Sequence, residues 1–301
     1  MSTLSLYELI AFPKGTTAPT GAPITVILEK TPLSADQRAH IARKHDGITA
    51  FAPETPPEQL PAVFFDPIEN KPQGAISCAF FDTFGERPDG EAAYIAVFRT
   101  FALSGKTVAR RVLLDTPLGI VQVQEEVFRR PPQAQVWIEQ PLPTLETPWL
   151  DLKPFADALS LPATPASSIS GTTLMIRLTT QQALEQVTQE HIQPLLHAGF
   201  EDVVLFTTSP SNPFIDLAVR HFTRRGAQEQ SGSVKVNVQL GRWAWELGLQ
   251  KTYLVLEQGF PARCRLSVWL EADEGTPTRI SVGGQIHRLD HRAISLEELL
   301  A

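Results

Sequence analysis

Gly232-Ser233-Val234 opens a helix that runs to Gly248, and Lys251-Thr252 then starts a strand. This run decides the fold because an earlier one repeats it. Gly90-Glu91-Ala92 opens a helix that runs to Gly105, and Lys106-Thr107 starts the strand that follows. Shared punctuation at similar spacing is the mark of an internal repeat. Two copies of one α+β unit are expected, each built around an apolar helix with a glycine at its entrance.

Around the first copy, Leu6–Phe12, Ile24–Leu28, Ala62–Asp66 and the run Ala75–Phe81 read as strands, rich in aliphatic and aromatic residues. Ser34 is placed as the N-cap of a helix with Ala35, Ala39 and Ala42 on one face. Ala92, Ala93, Ala96 and Val97 form the packing side of the helix that ends near Leu103. Two strands around the turn Thr116-Pro117-Leu118-Gly119 close this half. Residues 131–171 are rich in Pro, Ser and Thr and read as a connecting segment with one short helix around Asp151–Leu159. The second half starts with a strand at Leu174–Leu178, a helix over Gln181–His197 that Pro194 should kink or shorten, and a strand at Asp202–Phe206. The expected division is an N-terminal unit over 1–130, the connection over 131–171, and a C-terminal unit over 172–301.

Composition removes several function classes. The 301 residues carry 26 Lys+Arg against 33 Asp+Glu, a net charge of −7 with no basic run, so nucleic acid is not an expected partner. No stretch of about 18 apolar residues is present to span a membrane. The start, MSTLSLYELIAF, lacks a basic region and a small-residue cleavage site, which points to a cytoplasmic protein. Two cysteines, Cys78 and Cys264, are too few for a disulfide framework or a cysteine zinc site and read as buried reduced thiols. His191, His197, His221, His287 and His291 have no metal-ligand spacing and read as isolated surface or strand residues. Trp243, Trp245 and Trp269 read as core. Neither a phosphate-binding glycine loop after a strand nor a G-x-S-x-G elbow occurs, so no cofactor or metal is expected.

A series of runs, taken in order, resembles the phenazine-biosynthesis isomerase (PhzF-like) family. Gly21-Ala22-Pro23-Ile24-Thr25-Val26-Ile27-Leu28 is similar to its early G-N-P-A-A-V-V-L. Leu33-Ser34 through Ile41-Ala42-Arg43 is similar to its L-S…I-A-R helix. Asp89-Gly90-Glu91-Ala92-Ala93 lines up with its C-G-H-A-T, and Gln228-Glu229-Gln230-Ser231-Gly232-Ser233-Val234 with its D-P-x-T-G-S-A. Gln258-Gly259 and Val282-Gly283-Gly284 match its Q-G turn and terminal V-G-G. The resemblance covers nearly the whole chain. It implies the diaminopimelate-epimerase fold: two pseudo-symmetric α+β domains, each a mixed, mostly antiparallel sheet wrapped around a central helix. It also implies a small-molecule substrate held in the cleft between them, facing both helix N-termini, with no cofactor. A helix N-terminus carries about half a positive charge and suits a substrate carboxylate. Gly90, Gly232, Ser231 and Ser233 are thereby marked as substrate-binding candidates, with ordinary capping as the alternative for the serines.

The family's proton-handling residues do not carry over. Its catalytic Glu, in an S-E-T-A-F run, meets Asp46-Gly47-Ile48-Thr49-Ala50-Phe51, one residue shorter and without the Glu. Its His falls on Glu91 and its Asp on Gln228. The candidates left for proton transfer are Glu91, Asp46 and Glu229, with His45 beside Asp46 and with Asp89 and Gln228 lining the two helix starts. Glu91 in a first helical turn is expected to stay ionised, and with Asp89 it would favour a neutral or cationic group there. Three functions stay open: an isomerase of specialised metabolism, a cyclase, lyase or pericyclase that works by positioning, and a binding or scaffolding protein without catalysis. Monomer and homodimer are both open.

Overall fold

The computed structural model describes the chain apart from residues 1–2, 15–19, 46, 54–74, 83, 88–89, 91, 105–110, 118, 130–131, 225–228, 231 and 261–263. It divides into two compact units. One is Met1–Glu139 together with Gly283–Ala301, and the other is Gln140–Val282.

In the first unit, strands Thr3–Lys14, Thr20–Glu29, Ile48–Pro53, Ala79–Asp82 and Gly85–Arg87 follow one another across a sheet. The neighbours are antiparallel except Thr20–Glu29 and Ile48–Pro53, which run parallel. A parallel pair needs a crossover, and α1 (Ala35–Ala42) supplies it. Ser34 caps α1 as expected: its Oγ accepts from the Gln37 N–H, and its own N–H donates to Gln37 Oε1 at 2.9 Å. A second set of strands, Arg111–Thr116, Gly119–Arg129 and Pro132–Gln140, forms an antiparallel meander.

The run Ala75–Phe81 serves both sets. Ile76–Ser77 pairs with Leu114 and Asp115, then the chain bends at Cys78 and Ala79–Phe81 pairs with Thr49–Phe51. One expected strand is therefore two, because each half satisfies its backbone against a different partner. The strand expected at Ala62–Asp66 lies outside the described residues.

The central helix, α2 (Ala93–Leu103), is apolar all round and buried from Ala93 through Phe98. It touches strands of both sets, among them Thr3–Lys14, Thr20–Glu29, Ile48–Pro53 and Gly119–Arg129.

The second unit is a curled mixed sheet in the order Ala166–Ser170, Thr173–Arg177, Asp202–Thr207, Leu217–Thr223, Tyr253–Gln258, Cys264–Asp273, Thr276–Gly284. Two of its pairs are parallel, Thr173–Arg177 with Asp202–Thr207 and Leu217–Val219 with Leu256–Gln258. Helices α3 (Lys153–Ala158), α4 (Gln181–Gln186) and α5 (Gln189–His197) cover one face with a core around Leu174, Val203, Leu205 and Phe222. The other face carries α6 (Val234–Ala244), which continues as one turn of π-helix over Trp245–Leu249. Trp243 meets Phe206 edge-on at 5.2 Å between centroids, and a Cβ on Gly241 would lie 2.6 Å from Val268 Cγ1. That glycine lets the helix press onto the sheet.

Two expectations need correction. The helix over Gln181–His197 is two helices, and the break is not at Pro194. Val187 turns extended at ψ 127°, and Thr188 starts α5 by a capping box with His191, so the cap decides the boundary. Pro194 sits inside α5.

The division of the chain also differs from 1–130, 131–171 and 172–301. The Pro-rich segment contributes strands at Pro132–Gln140 and Ala166–Ser170 besides the expected short helix. The last strand, Ile286–Ser295, pairs antiparallel with Thr3–Ala11, and α7 (Leu296–Leu300) covers the core beside Leu33, Ile41 and Ala42. His40 of α1 and Lys44, just beyond its end, bind the carbonyls of Leu300 and Leu299.

Candidate functional site

The entrance to α2 is built on a close approach. Gly90 is buried, and a Cβ there would lie 2.6 Å from Tyr94 Cε1 and 2.7 Å from the Phe80 ring. Those two rings meet edge-on at 5.2 Å. The backbone turns in at once, with the Ala93 N–H donating to the Gly90 carbonyl at 2.6 Å. Ala92, at the N-cap, offers no side-chain cap. Glu91, Asp89 and Asp46, named from the sequence, lie outside the described residues.

The entrance to α6 is built on a turn. Gly232 has φ +77°, a conformation in which an L side chain is strained. Ser233 then caps the helix by accepting the Val236 N–H on Oγ. Asn237, fully buried one turn in, folds back so that Nδ2 donates to the Ser233 carbonyl and to Gln258 Oε1. Gln258 Nε2 in turn donates to the Gln230 carbonyl at 3.4 Å. Asn237 Oδ1 is buried and has no partner among the described residues. Such an atom costs about 1–3 kcal/mol in a native structure. Gln228 and Ser231 lie outside the described residues.

Glu229 is engaged by an ion pair. Arg220 Nε donates to both of its carboxylate oxygens at 3.1 Å and Nη2 to Oε2 at 2.7 Å, with both side chains about nine-tenths buried. A proton shuttle at Glu229 would have to give up that fork. Of the residues nominated from the sequence, the structure therefore brings Gly232, Ser233 and Glu229 to one end of α6, and it places Gly90 at the entrance of α2.

A cluster that sequence reasoning missed lies next to Gln230. His221 pairs across the sheet with Gln230, and its Nε2 meets Asp202 Oδ1 at 2.8 Å. Lys235, in the first turn of α6, donates to Asp202 Oδ2 at 3.0 Å, and Thr173 Oγ1 lies 3.5 Å from the same oxygen. Burial alone would raise the Asp202 carboxyl. The hydrogen bond and charge of His221, with those of Lys235, outweigh it and bring the group down to about 2. The ionised carboxylate takes its hydrogen bond from Nε2–H, and a ring with its proton there presents Nδ1 as an acceptor. Among the described residues that Nδ1, which is buried, has no partner. The signal was in the alternation: His221 follows Leu217 and Val219 on the inward face, where an apolar residue is the rule, and Asp202 precedes Val204 and Phe206 there.

Among the described residues no group of three or more His, Cys, Asp or Glu could hold a metal ion, and no helix is long and apolar enough to cross a membrane. Both cysteines are buried and neither is in a disulfide. Burial, reinforced by the nearby Asp115, pushes the Cys78 thiol up, which keeps it out of nucleophilic chemistry. Trp243 is core as expected, while Trp245 and Trp269 are half-buried.

In each unit a mixed, mostly antiparallel sheet is curled on a buried helix that enters through a glycine. This is the diaminopimelate-epimerase-like fold, shared by PhzF proteins and by epimerases. A PhzF-family phenazine biosynthesis protein from Bacillus anthracis has a TM-score of 0.77 at 16% identity, over 98% of this chain and 100% of that one. A protein described as a predicted epimerase from Pseudomonas aeruginosa has a TM-score of 0.68 at 18% identity, over 96% of this chain and 98% of that one. A hydroxyproline epimerase from Agrobacterium vitis, solved with trans-4-hydroxy-L-proline bound, has a TM-score of 0.57 at 10% identity, over 97% and 92%. At these identities the likeness is one of fold. No protein-family model matches the chain, and no curated protein matches it in sequence.

Proposed function

We propose that the chain is a cytoplasmic, cofactor-independent isomerase that moves a proton on a small carboxylate-bearing metabolite, in the biosynthesis of a specialised product. The observation that carries this reading is the entrance to α6. A left-handed glycine with no Cβ, a serine cap and the positive end of an eleven-residue helix stand together there, which is the environment a carboxylate prefers. The fold it shares with PhzF proteins and epimerases supports the same reaction class.

In this reading Gly232, Ser233, Ser231 and Gln228 bind the carboxylate. Asp89 and Gly90 meet a neutral or cationic part of the substrate, and Glu91 and Asp46 handle protons. Glu229 contributes by fixing the strand that leads into Gly232. The ion pair at Glu229 favours a second reading, in which positioning outweighs acid–base work and the reaction is a cyclisation, elimination or pericyclic step.

The test is proton exchange. The protein is incubated in deuterium oxide with a panel of α-amino, β,γ-unsaturated and cyclohexadiene carboxylic acids, and loss of carbon-bound proton signals is followed by NMR. Exchange by the wild type, lost in Gly232→Val and lowered about 100-fold or more in Glu91→Gln or Asp46→Asn, is expected. Turnover without exchange supports the second reading. Binding without either identifies a ligand-binding protein.

A further inference from the structure

We infer that His221, oriented by Asp202, is the general base of this site, its Nδ1 taking the proton from the substrate carbon. The inference rests on the reading of the chain as a proton-transfer isomerase and supplies a base that the sequence motifs did not.

Three observations lead to it. First, the ring is held from one side only. Nε2 is fixed at 2.8 Å by a carboxylate whose other oxygen is held by Lys235, whereas Nδ1 has no partner among the described residues although the side chain is buried. A ring whose outer nitrogen is anchored by a carboxylate and whose inner nitrogen keeps a free lone pair is set up to accept a proton, because the ion pair then formed stabilises the imidazolium. Second, His221 lies on the strand that pairs with the residues leading into the helix entrance. His221 is directly opposite Gln230, and the chain passes from Gln230 through one residue to Gly232. Third, the neighbouring Asn237 Oδ1 is also a buried acceptor without a partner among the described residues. It belongs to a carboxamide bonded to Ser233 and Gln258, and Gln258 aligns with Val219 on the inward face that His221 shares. Two unsatisfied acceptors on one face, next to a helix start that suits an anion, fit a substrate that brings a carboxylate together with hydrogen-bond donors. An α-amino or α-hydroxy acid is such a molecule.

The step balances without a co-reactant. The substrate C–H bond breaks and its electron pair stays on carbon, delocalised into the adjacent carboxylate or alkene. The proton bonds to Nδ1, giving an imidazolium against Asp202. Return of the proton to carbon at a new position or face restores the neutral ring, and Asp202 stays ionised throughout.

The experiment compares wild type, His221→Gln and Asp202→Asn in the deuterium-exchange assay, with unfolding measured alongside. Glutamine keeps an N–H for Asp202, so His221→Gln is expected to stay folded and to lose at least 100-fold in exchange. The charged groups facing the ring are Asp202 and Lys235. Removing the carboxylate in Asp202→Asn leaves the ammonium, so the acid limb of the exchange profile should move to lower pH. Unchanged exchange in His221→Gln, with its acid limb intact, overturns the inference. A ring spectrum decides it independently. Long-range proton–nitrogen NMR at neutral pH should find Nε2 protonated and Nδ1 bare, and titration with an exchanging acid should move the Nδ1 resonance. A proton resident on Nδ1 overturns the inference. If the wild type exchanges no proton with any acid, the proton-transfer reading falls. The inference falls with it, whereas exchange by the wild type that His221→Gln leaves unchanged overturns the inference alone.

Discussion

Arg220 and Glu229 join two strands through a forked ion pair. The remaining nitrogen of the guanidinium, Nη1, closes the end of α4 by donating to the Leu184 carbonyl at 3.1 Å and the Val187 carbonyl at 2.6 Å. The planar group also lies 4.9 Å above the centre of the Phe222 ring. A single side chain thus ties the strand entering Gly232 to the helix break at Val187.

Arg220→Ala should therefore be among the more destabilising single changes in the second unit. It strands a buried carboxylate and two carbonyls, a loss on the order of 3–5 kcal/mol. Glu229→Gln keeps an acceptor for the fork and should cost less. Urea unfolding of both variants checks the order, and equal losses would contradict it.

Asp202 should give the fold a dependence on acid. In the unfolded chain the group titrates near 3.8, and in the folded one near 2. Its contribution, roughly 2 kcal/mol, is therefore complete above pH 3.8 and disappears as pH falls through 2. Asp202→Asn should unfold at lower denaturant than wild type at pH 6, and the gap should narrow between pH 4 and 2. A gap that stays constant over that range would refute the assignment.

Three glycines should resist alanine, for two different reasons. At Gly90 the added methyl meets aromatic carbons at 2.6–2.7 Å, and at Gly283 it meets Trp137 at 2.5 Å and the Val136 carbonyl at 2.7 Å. Overpacking of this kind costs about 1–3 kcal/mol. Gly232→Ala meets backbone strain instead, about 1–2 kcal/mol. Calorimetry should show a lower Tm for all three.

Cys78 and Cys264 should be silent towards a thiol reagent at pH 8 in the native protein and react together once it is unfolded in guanidinium. Both are buried, and the Cys78 thiol is pushed up by burial and by Asp115. Rapid native labelling would contradict this placement.

What could be read in the chain beforehand follows how local the cause is. Ser34 as a cap, the glycine entrances at 90 and 232 and the strand starting at Asp202 are short-range signals, and each stands where it was expected. The bend at Cys78 was hidden because it depends on Asp115 offering a backbone partner. Val187 ends a helix through the Thr188 cap, which competes with a proline that looks like the stronger breaker. His221 and Asp202 stand 19 residues apart and meet only because neighbouring antiparallel strands bring both onto one face. Neither residue alone spells out that meeting. Of the acids nominated from the sequence, Glu229 was legible as a position and not as a role, since its partner Arg220 is nine residues away.

The pairing of Thr3–Ala11 with the strand that follows Gly284 makes the second unit an insertion within the first. During synthesis the strands made ahead of the second unit must wait for Ile286–Ser295, made after it, before their sheet is complete.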